Sequence, residues 1–154
     1  AVFDNLTIFK DGQGEVLCAI DLDTVMASTS LNDFGEAIRS YANTGDEDDR
    51  DLSRVGLSLE MFRAYTEGYL SQRAKQLTDS EIDHLAFSAR YITFEQVLRF
   101  LMDYIDGDTY YKVKYPGHNL VRTHAQYRLL QSMEEHYGEM CRIVDGIAAK
   151  YRNA

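Results

Sequence analysis

The chain has 154 residues, of which 16 are lysine or arginine and 25 are aspartate or glutamate, giving a net charge of −9. A chain of this length is expected to form one core, and its negative charge disfavours broad contact with nucleic acid or an anionic membrane surface. No apolar run reaches the roughly 18 residues that span a bilayer, and two cysteines are too few for a disulfide framework. We therefore expect one reduced, cytoplasmic domain.

A β-hairpin is predicted near the amino terminus. Residues 6–9 and 16–20 form two β-favouring runs, and Asp11-Gly12-Gln13-Gly14 lies between them. Glycine and aspartate are the residues that tight hairpin turns favour. Because the sequence enters this pattern within a few residues of Ala1, without a methionine, we expect it to be a piece of a longer chain in which the identity of residues 1–4 is open.

Polar side chains flank the hairpin at the ends of its strands. Asp21 and Asp23 follow the second strand, and Asn5 precedes the first. Mg²⁺ takes carboxylate and amide oxygens and keeps several positions for water and phosphate, so a few such ligands on a rigid strand are enough. The sequence therefore predicts a metal site over residues 5–23. The alternative is that these are ordinary turn residues, since Asp and Asn are common in turns.

A helical body is predicted for residues 30–154. Leu31, Phe34, Ile38 and Tyr41 recur at helical spacing, and so do Leu59, Phe62, Tyr65, Tyr69 and Leu70 after Ser58. Between these helices, residues 43–51 are acidic and indicate an exposed loop.

Two further helices and a long final helix complete the body. Thr78…Glu81 and Thr93…Gln96 each match the capping box that opens a helix, and Gly107 closes the second one. The last helix follows Pro116, runs to Tyr151 and is expected to break at Gly138. The fold class is thus mainly α with a small β-hairpin.

Two blocks of this sequence resemble the carboxyl-terminal lobe of the aminoglycoside-phosphotransferase-like kinases, and among them the N-acetylhexosamine 1-kinases in particular. The first block, residues 15–39, contains Ile20-Asp21-Leu22-Asp23-Thr24 and Asn32-Asp33-Phe34-Gly35. The second, residues 110–126, contains His118-Asn119-Leu120-Val121-Arg122. The resemblance implies the helical lobe of a protein-kinase-like α+β fold.

The resemblance also implies roles for individual residues. Asp21 would hold Mg²⁺ against the phosphates of ATP, Asp23 would support the metal, and Asn5 would hold a second ion. The catalytic aspartate would lie directly ahead of Ala1. Because this chain has no counterpart of the nucleotide-binding lobe, we expect it to be inactive alone and to expose an apolar patch near the hairpin that drives self-association. Asp33 would be structural, holding the catalytic loop by hydrogen bonds.

His118, Asn119 and Arg122 form a polar cluster at the start of the last helix, where they are expected to bind sugar hydroxyls or phosphate. The alternative is a helix cap with a surface arginine. The predicted function is phosphoryl transfer from ATP to a sugar, at the anomeric hydroxyl of an N-acetylhexosamine.

Two other functions compete with the kinase. Asp21-x-Asp23 also fits the first motif of haloacid-dehalogenase-like phosphatases, in which the first aspartate is the nucleophile. Those enzymes need a parallel sheet of repeated strand–helix units, whereas the residues after Asp23 predict helices only. The second rival is a non-catalytic helical interaction module.

Overall fold

The structure is a computed structural model that describes residues 7–10, 13–16 and 27–152. Within these ranges the chain forms two short strands and six helices. The strands are β1 (Thr7–Lys10) and β2 (Gln13–Val16), and the helices are α1 (Leu31–Tyr41), α2 (Leu59–Arg73), α3 (Asp79–Asp83), α4 (Leu85–Ile105), α5 (His118–Glu135) and α6 (Tyr137–Arg152). The prediction of a mainly helical chain with a small hairpin is confirmed.

The hairpin is tighter than the sequence predicts. The two strands are antiparallel, and Thr7 is paired with Val16 and Lys10 with Gln13. Only two residues therefore connect the strands, which is the commonest hairpin length. Gln13 and Gly14, predicted as turn residues, belong to the second strand. The predicted strand residues 17–20 lie outside the described ranges.

The first two helices bury the apolar residues that the spacing predicts. Phe34 and Ile38 of α1 are fully buried, as are Phe62 and Leu70 of α2. The Phe34 ring contacts the Tyr69 ring edge-on, with 5.2 Å between the centroids. Ser58 caps α2 by accepting a hydrogen bond from the Met61 backbone N–H. These apolar contacts pack α1 against α2 in the core.

The predicted boundaries of the third and fourth helices are half right. Thr78 and Glu81 form the expected capping box at the start of α3. Thr93 does not open a helix, because α4 already begins at Leu85. The Thr93 hydroxyl is buried and donates to the Ala89 carbonyl one turn earlier. The prediction of a capping box at Thr93 was therefore wrong.

The long carboxyl-terminal segment breaks two residues before the predicted position. His136 separates α5 from α6, and its ring Nδ1 lies 2.7 Å from the Ser132 carbonyl oxygen. Met133, Met140 and Val144 from this segment are buried in the core, whereas Tyr127 is half exposed. Both helices of the segment thus contribute apolar residues to the core.

Helix α4 is the centre of the body. It packs against both α1 and α5, while α2 and α3 pack against α6. No helix within residues 27–152 is both long and apolar enough to cross a bilayer.

Candidate functional site

A groove of about 260 Å³ lies between α1 and α4. Its walls are Asn32, Asp33 and Glu36 from α1, and Ile92, Glu95, Gln96 and Arg99 from α4. Six of these seven side chains are polar or charged. Drug-sized ligands occupy cavities of roughly 300–1,000 Å³, so this groove is suited to a smaller polar molecule.

The walls of the groove are held together by one close backbone contact. Gly35 faces Ser88 so closely that a Cβ atom on Gly35 would lie 2.6 Å from the Ser88 carbonyl oxygen. The same atom would lie 2.7 Å from Cγ1 of Ile92. Because real Cβ atoms do not approach that closely, glycine is required for α1 and α4 to meet at this distance. The groove therefore has a fixed width.

Two tyrosines lie beside the α4 wall of the groove. Gln96 donates from Nε2 to the Tyr111 hydroxyl at 3.3 Å. The Arg99 guanidinium lies 5.8 Å from the ring centroid of Tyr110 and 5.6 Å from that of Tyr111. Tyr110 is largely exposed. The two tyrosine rings and the polar groups of Gln96 and Arg99 thus lie together at this point of the surface.

Asp103 fixes the loop that carries these tyrosines. Its carboxylate is buried and accepts backbone N–H bonds from Thr109, Tyr110 and Tyr111, at 2.9, 2.7 and 2.9 Å. Burial opposes the charge on Asp103, but these donors and Asn119 stabilise it more, so the pKa of Asp103 lies below its usual value. The loop after α4 is therefore tied to the helix that forms the groove.

Two residues of the same loop have left-handed backbone. Gly107 has φ of 89° and Asp108 has φ of 59°. Gly107 adopts this conformation without steric cost, whereas it is uncommon for a residue with a side chain. The Asp108 carboxylate accepts a 2.9 Å hydrogen bond from Asn119. Gly107 closes α4 as the sequence predicts.

The structure places the predicted binding residues His118 and Asn119 inside the protein. Both side chains are fully buried at the start of α5. Asn119 donates from Nδ2 to Asp103 at 2.7 Å and to Asp108, and its Oδ1 accepts from Arg122 at 2.9 Å. Its hydrogen-bonding groups are thus used within the protein.

His118 joins α5 to the acidic loop of residues 43–51. Its Nδ1 accepts the backbone N–H of Lys114 at 3.2 Å, which assigns the ring proton to Nε2. Nε2 then donates to Asp48 at 2.8 Å, and the Lys114 ammonium contacts the same oxygen at 3.0 Å. Hydrogen bonds from His118 and Lys114 lower the pKa of Asp48.

Arg122, the third predicted binding residue, is mostly buried and shares a carboxylate with a second arginine. The Arg122 Nε lies 3.8 Å from Oε2 of Glu47, while Arg39 donates from Nη1 to Oε1 of Glu47 at 2.9 Å. Arg39 also forms a two-point contact with Glu36, at 2.9 and 2.5 Å, and donates to the buried Gln126 at 3.1 Å. Burial disfavours the charge of Arg39, but Glu36 and Glu47 outweigh it and raise its pKa.

The acidic loop is therefore less exposed than predicted. Asp49 is buried, and Glu47 and Asp48 are partly buried against α1 and α5. The partners of Glu47 and Asp48 are 8 to 75 positions away in the sequence. The expectation of an exposed loop thus holds at Thr44, Asp46, Arg50 and Asp51 but not at Asp49, and Glu47 compensates two largely buried arginines.

Asp33 is the predicted residue that the structure brings to the groove. It lies in the first turn of α1, and its side chain is exposed. The predicted metal ligands Asn5, Asp21 and Asp23 lie outside the described residues. Within residues 27–152, no group of three His, Cys, Asp or Glu side chains is arranged to hold a metal ion.

Sequence reasoning missed most of the groove. Gln96 and Arg99 lie on α4 and meet Asp33 only through the packing of α4 on α1. The useful signal was Gly35 inside an otherwise regular helix, since such a glycine often marks a close contact. In a comparison with protein-family models, no family model matches this sequence.

Proposed function

We propose that the chain is the carboxyl-terminal lobe of an ATP-dependent sugar kinase of the aminoglycoside-phosphotransferase-like type. The acceptor is a sugar hydroxyl, and the anomeric hydroxyl of an N-acetylhexosamine is the substrate that the sequence resemblance favours. The observation that carries the proposal is the groove between α1 and α4, with its polar walls and adjacent tyrosines.

The groups that line the groove suit a sugar. Asp33, Glu36 and Glu95 accept hydrogen bonds, Arg99 donates them, and Gln96 does both. Sugar hydroxyls both donate and accept, and the apolar face of a pyranose ring packs on an aromatic side chain. Tyr110, largely exposed beside Arg99, offers such a face. A monosaccharide also matches the cavity volume better than a larger ligand does.

The groove also lies close in sequence to the predicted metal ligands. Asp23 lies ten residues before Asp33 in the sequence. Asp33 follows within the first turn of α1. The carboxylates that are expected to hold the nucleotide phosphates thus precede, at short range, the helix that forms one wall of the groove.

The predicted ligands fit magnesium by their chemistry. Asn5, Asp21 and Asp23 offer hard oxygen donors, which Mg²⁺ prefers over nitrogen or sulfur. When bound, the ion neutralises charge on the phosphoryl oxygens during transfer. The catalytic aspartate lies upstream of Ala1 in this proposal, where it orients and deprotonates the acceptor hydroxyl.

The test uses the complete product of the gene and a panel of sugars with ATP and Mg²⁺. We expect phosphoryl transfer to an N-acetylhexosamine, loss of transfer in Asp21→Asn, and a KM for sugar raised about tenfold or more in Arg99→Ala. Arg63→Ala, a change of an exposed arginine on α2, is the matched control. Absence of transfer to every sugar would refute the kinase, and an unchanged KM in Arg99→Ala would refute the groove as the sugar site.

A second candidate is favoured by a separate observation. Helix α4 exposes several large apolar side chains, as a helical interaction module would. If the complete product neither binds ATP nor phosphorylates a sugar, this non-catalytic role becomes the better reading. A phosphatase is not proposed, because residues 27–152 form helices without a parallel sheet.

A further inference from the structure

Helix α4 carries a continuous row of large apolar side chains on its outer surface. This row, the α4 stripe, consists of Phe87, Tyr91, Phe94, Leu98, Met102 and Ile105. Their exposure ranges from 42% for Leu98 to 71% for Ile105. The rings of Phe87 and Tyr91 stack on each other, with 6.1 Å between the centroids. Single exposed apolar residues are ordinary, but a contiguous row of this length marks an interaction site.

The opposite side of α4 is buried in the core. Ala89, Thr93, Val97 and Phe100 are buried, and α4 packs there against its neighbours α1 and α5. A helix that is apolar on both sides is normally buried on both sides. The stripe therefore lacks the cover that its composition requires among the described residues.

The spacing of the stripe indicates the secondary structure of the segment that would cover it. Together with the half-buried Leu101, five of its members alternate at intervals of four and three residues from Phe87 to Ile105. This is the heptad spacing with which one helix packs along another. The occupant is thus an α-helix whose axis runs alongside that of α4.

We propose that this occupant is α4 of a second copy of the chain, running antiparallel about a two-fold axis near Gln96. The spacing is self-complementary in that arrangement. Phe94 of each copy lies opposite Leu98 of the other, Tyr91 opposite Leu101, and Phe87 opposite Ile105. A two-fold interface of this kind uses the same surface on both copies. Every residue of the four-and-three series finds an apolar partner, whereas Met102 lies beside the series, at the level of Arg90 of the other copy.

The exposed area is sufficient for such a pair. An aromatic side chain buries roughly 150–250 Å², so six large side chains that are about half exposed present on the order of 600 Å². Two copies together would bury about 1,200 Å², which is the lower limit for specific, stable interfaces. An interface at this lower limit is typical of weak, reversible association rather than of an obligate dimer.

Charges beside the stripe agree with the antiparallel arrangement. Glu95 and Arg99 are both exposed, one helical turn apart. With the axis near Gln96, Glu95 of one copy lies about 3 Å along the helix axis from the level of Arg99 of the other. Opposite charges that flank the apolar row favour this register.

Sedimentation velocity from low micromolar to several hundred micromolar tests the pairing. We expect a concentration-dependent dimer in the parent chain and at least about a tenfold weaker association in Leu98→Glu and Phe94→Glu, because each buries an uncompensated charge in the pair. Tyr127→Glu, which adds the same charge at an exposed tyrosine of α5, is the matched control. Circular dichroism verifies that each variant keeps its helices.

A parent chain that stays monomeric throughout this range would overturn the proposal and assign the stripe to another protein. An association that Leu98→Glu leaves unchanged would equally overturn it. The antiparallel register has its own test, since Glu95→Arg and Arg99→Glu should each weaken the dimer and their combination should restore it. A combination no better than the single changes would refute that register. Each of these outcomes is read from the oligomeric state, so failure of the pairing and failure of the kinase proposal are distinguishable. Glu95 and Arg99 also line the groove, and only their effect on association bears on the register.

Discussion

Asn119 donates a 2.7 Å hydrogen bond from Nδ2 to Oδ2 of Asp103, and this buried pair joins the start of α5 to the last turn of α4. The same carboxylate accepts the backbone N–H groups of Thr109, Tyr110 and Tyr111. The orientation of the tyrosines at the groove thus depends on the ionised form of one aspartate.

Replacing Asp103 with Asn should destabilise the fold at neutral pH and flatten its acid dependence. The pKa of Asp103 is depressed in the folded chain, so its stabilising effect is present above the unfolded pKa, about 3.9, and is lost as pH falls through the folded value. Urea unfolding at neutral and acidic pH measures both effects. Asp106→Asn, one turn away and exposed, is the control, and equal acid slopes in the two variants would contradict the role of Asp103.

Replacing Gly35 with Ala should cost about 1–3 kcal/mol of unfolding free energy. The added methyl group meets the backbone of Ser88 and forces α1 away from α4. Gly68→Ala in α2 is the matched control, because nothing lies within 4 Å of its added Cβ, and it should gain about 0.5–1 kcal/mol from helix propensity. Chemical unfolding compares the two, and a Gly35→Ala variant as stable as the parent would show that the helices separate without cost.

Replacing Arg39 with Met should cost about 2 kcal/mol, because Arg39 makes charged hydrogen bonds that hold the acidic loop on α1. Hydrogen exchange should accelerate selectively in residues 43–51. Arg63→Met, at an exposed position of α2, should change stability by less than about 0.5 kcal/mol. Unaltered exchange in the loop would mean that its backbone contacts to Gly56 and Leu57 are sufficient to hold it.

Replacing Thr78 with Ala should cost about 1 kcal/mol through loss of the helix cap. The Thr78 hydroxyl accepts the Glu81 N–H at 3.2 Å, and the Glu81 carboxylate accepts the Thr78 N–H at 2.8 Å. Ser80→Ala changes an exposed hydroxyl of the same helix and serves as the control. Thermal unfolding followed by circular dichroism distinguishes them, and identical midpoints would argue against the cap.

The fold was predictable where a helix buries one clear face. Phe34 and Ile38 marked α1, and Phe62 and Leu70 marked α2, because a buried face repeats at helical spacing. The start of α4 was not predictable from Thr93 and Gln96, since the capping pattern involves only four residues and recurs by chance inside helices. Whether a threonine caps or lies within a helix depends on the residues that precede it.

The site was predictable only in part, because it is assembled by packing. Asp33 was singled out from its local sequence as a structural residue and not as part of a groove, and Gln96 and Arg99 join it from a helix more than 60 residues later. Leu98, Met102 and Ile105 are apolar residues of α4, yet the sequence does not tell which apolar side of α4 faces its neighbours. The side of α4 that is buried is the side against which α1 and α5 pack.

The two contacts that position α1 respond differently to dissolved ions. Glu47 is partly open to solvent, so counterions can reach the carboxylate that holds the acidic loop on α1, and the Debye length falls to about 3 Å in 1 M salt. The Gly35–Ser88 contact depends on shape alone. Raising the ionic strength should therefore loosen the loop while α1 remains seated on α4.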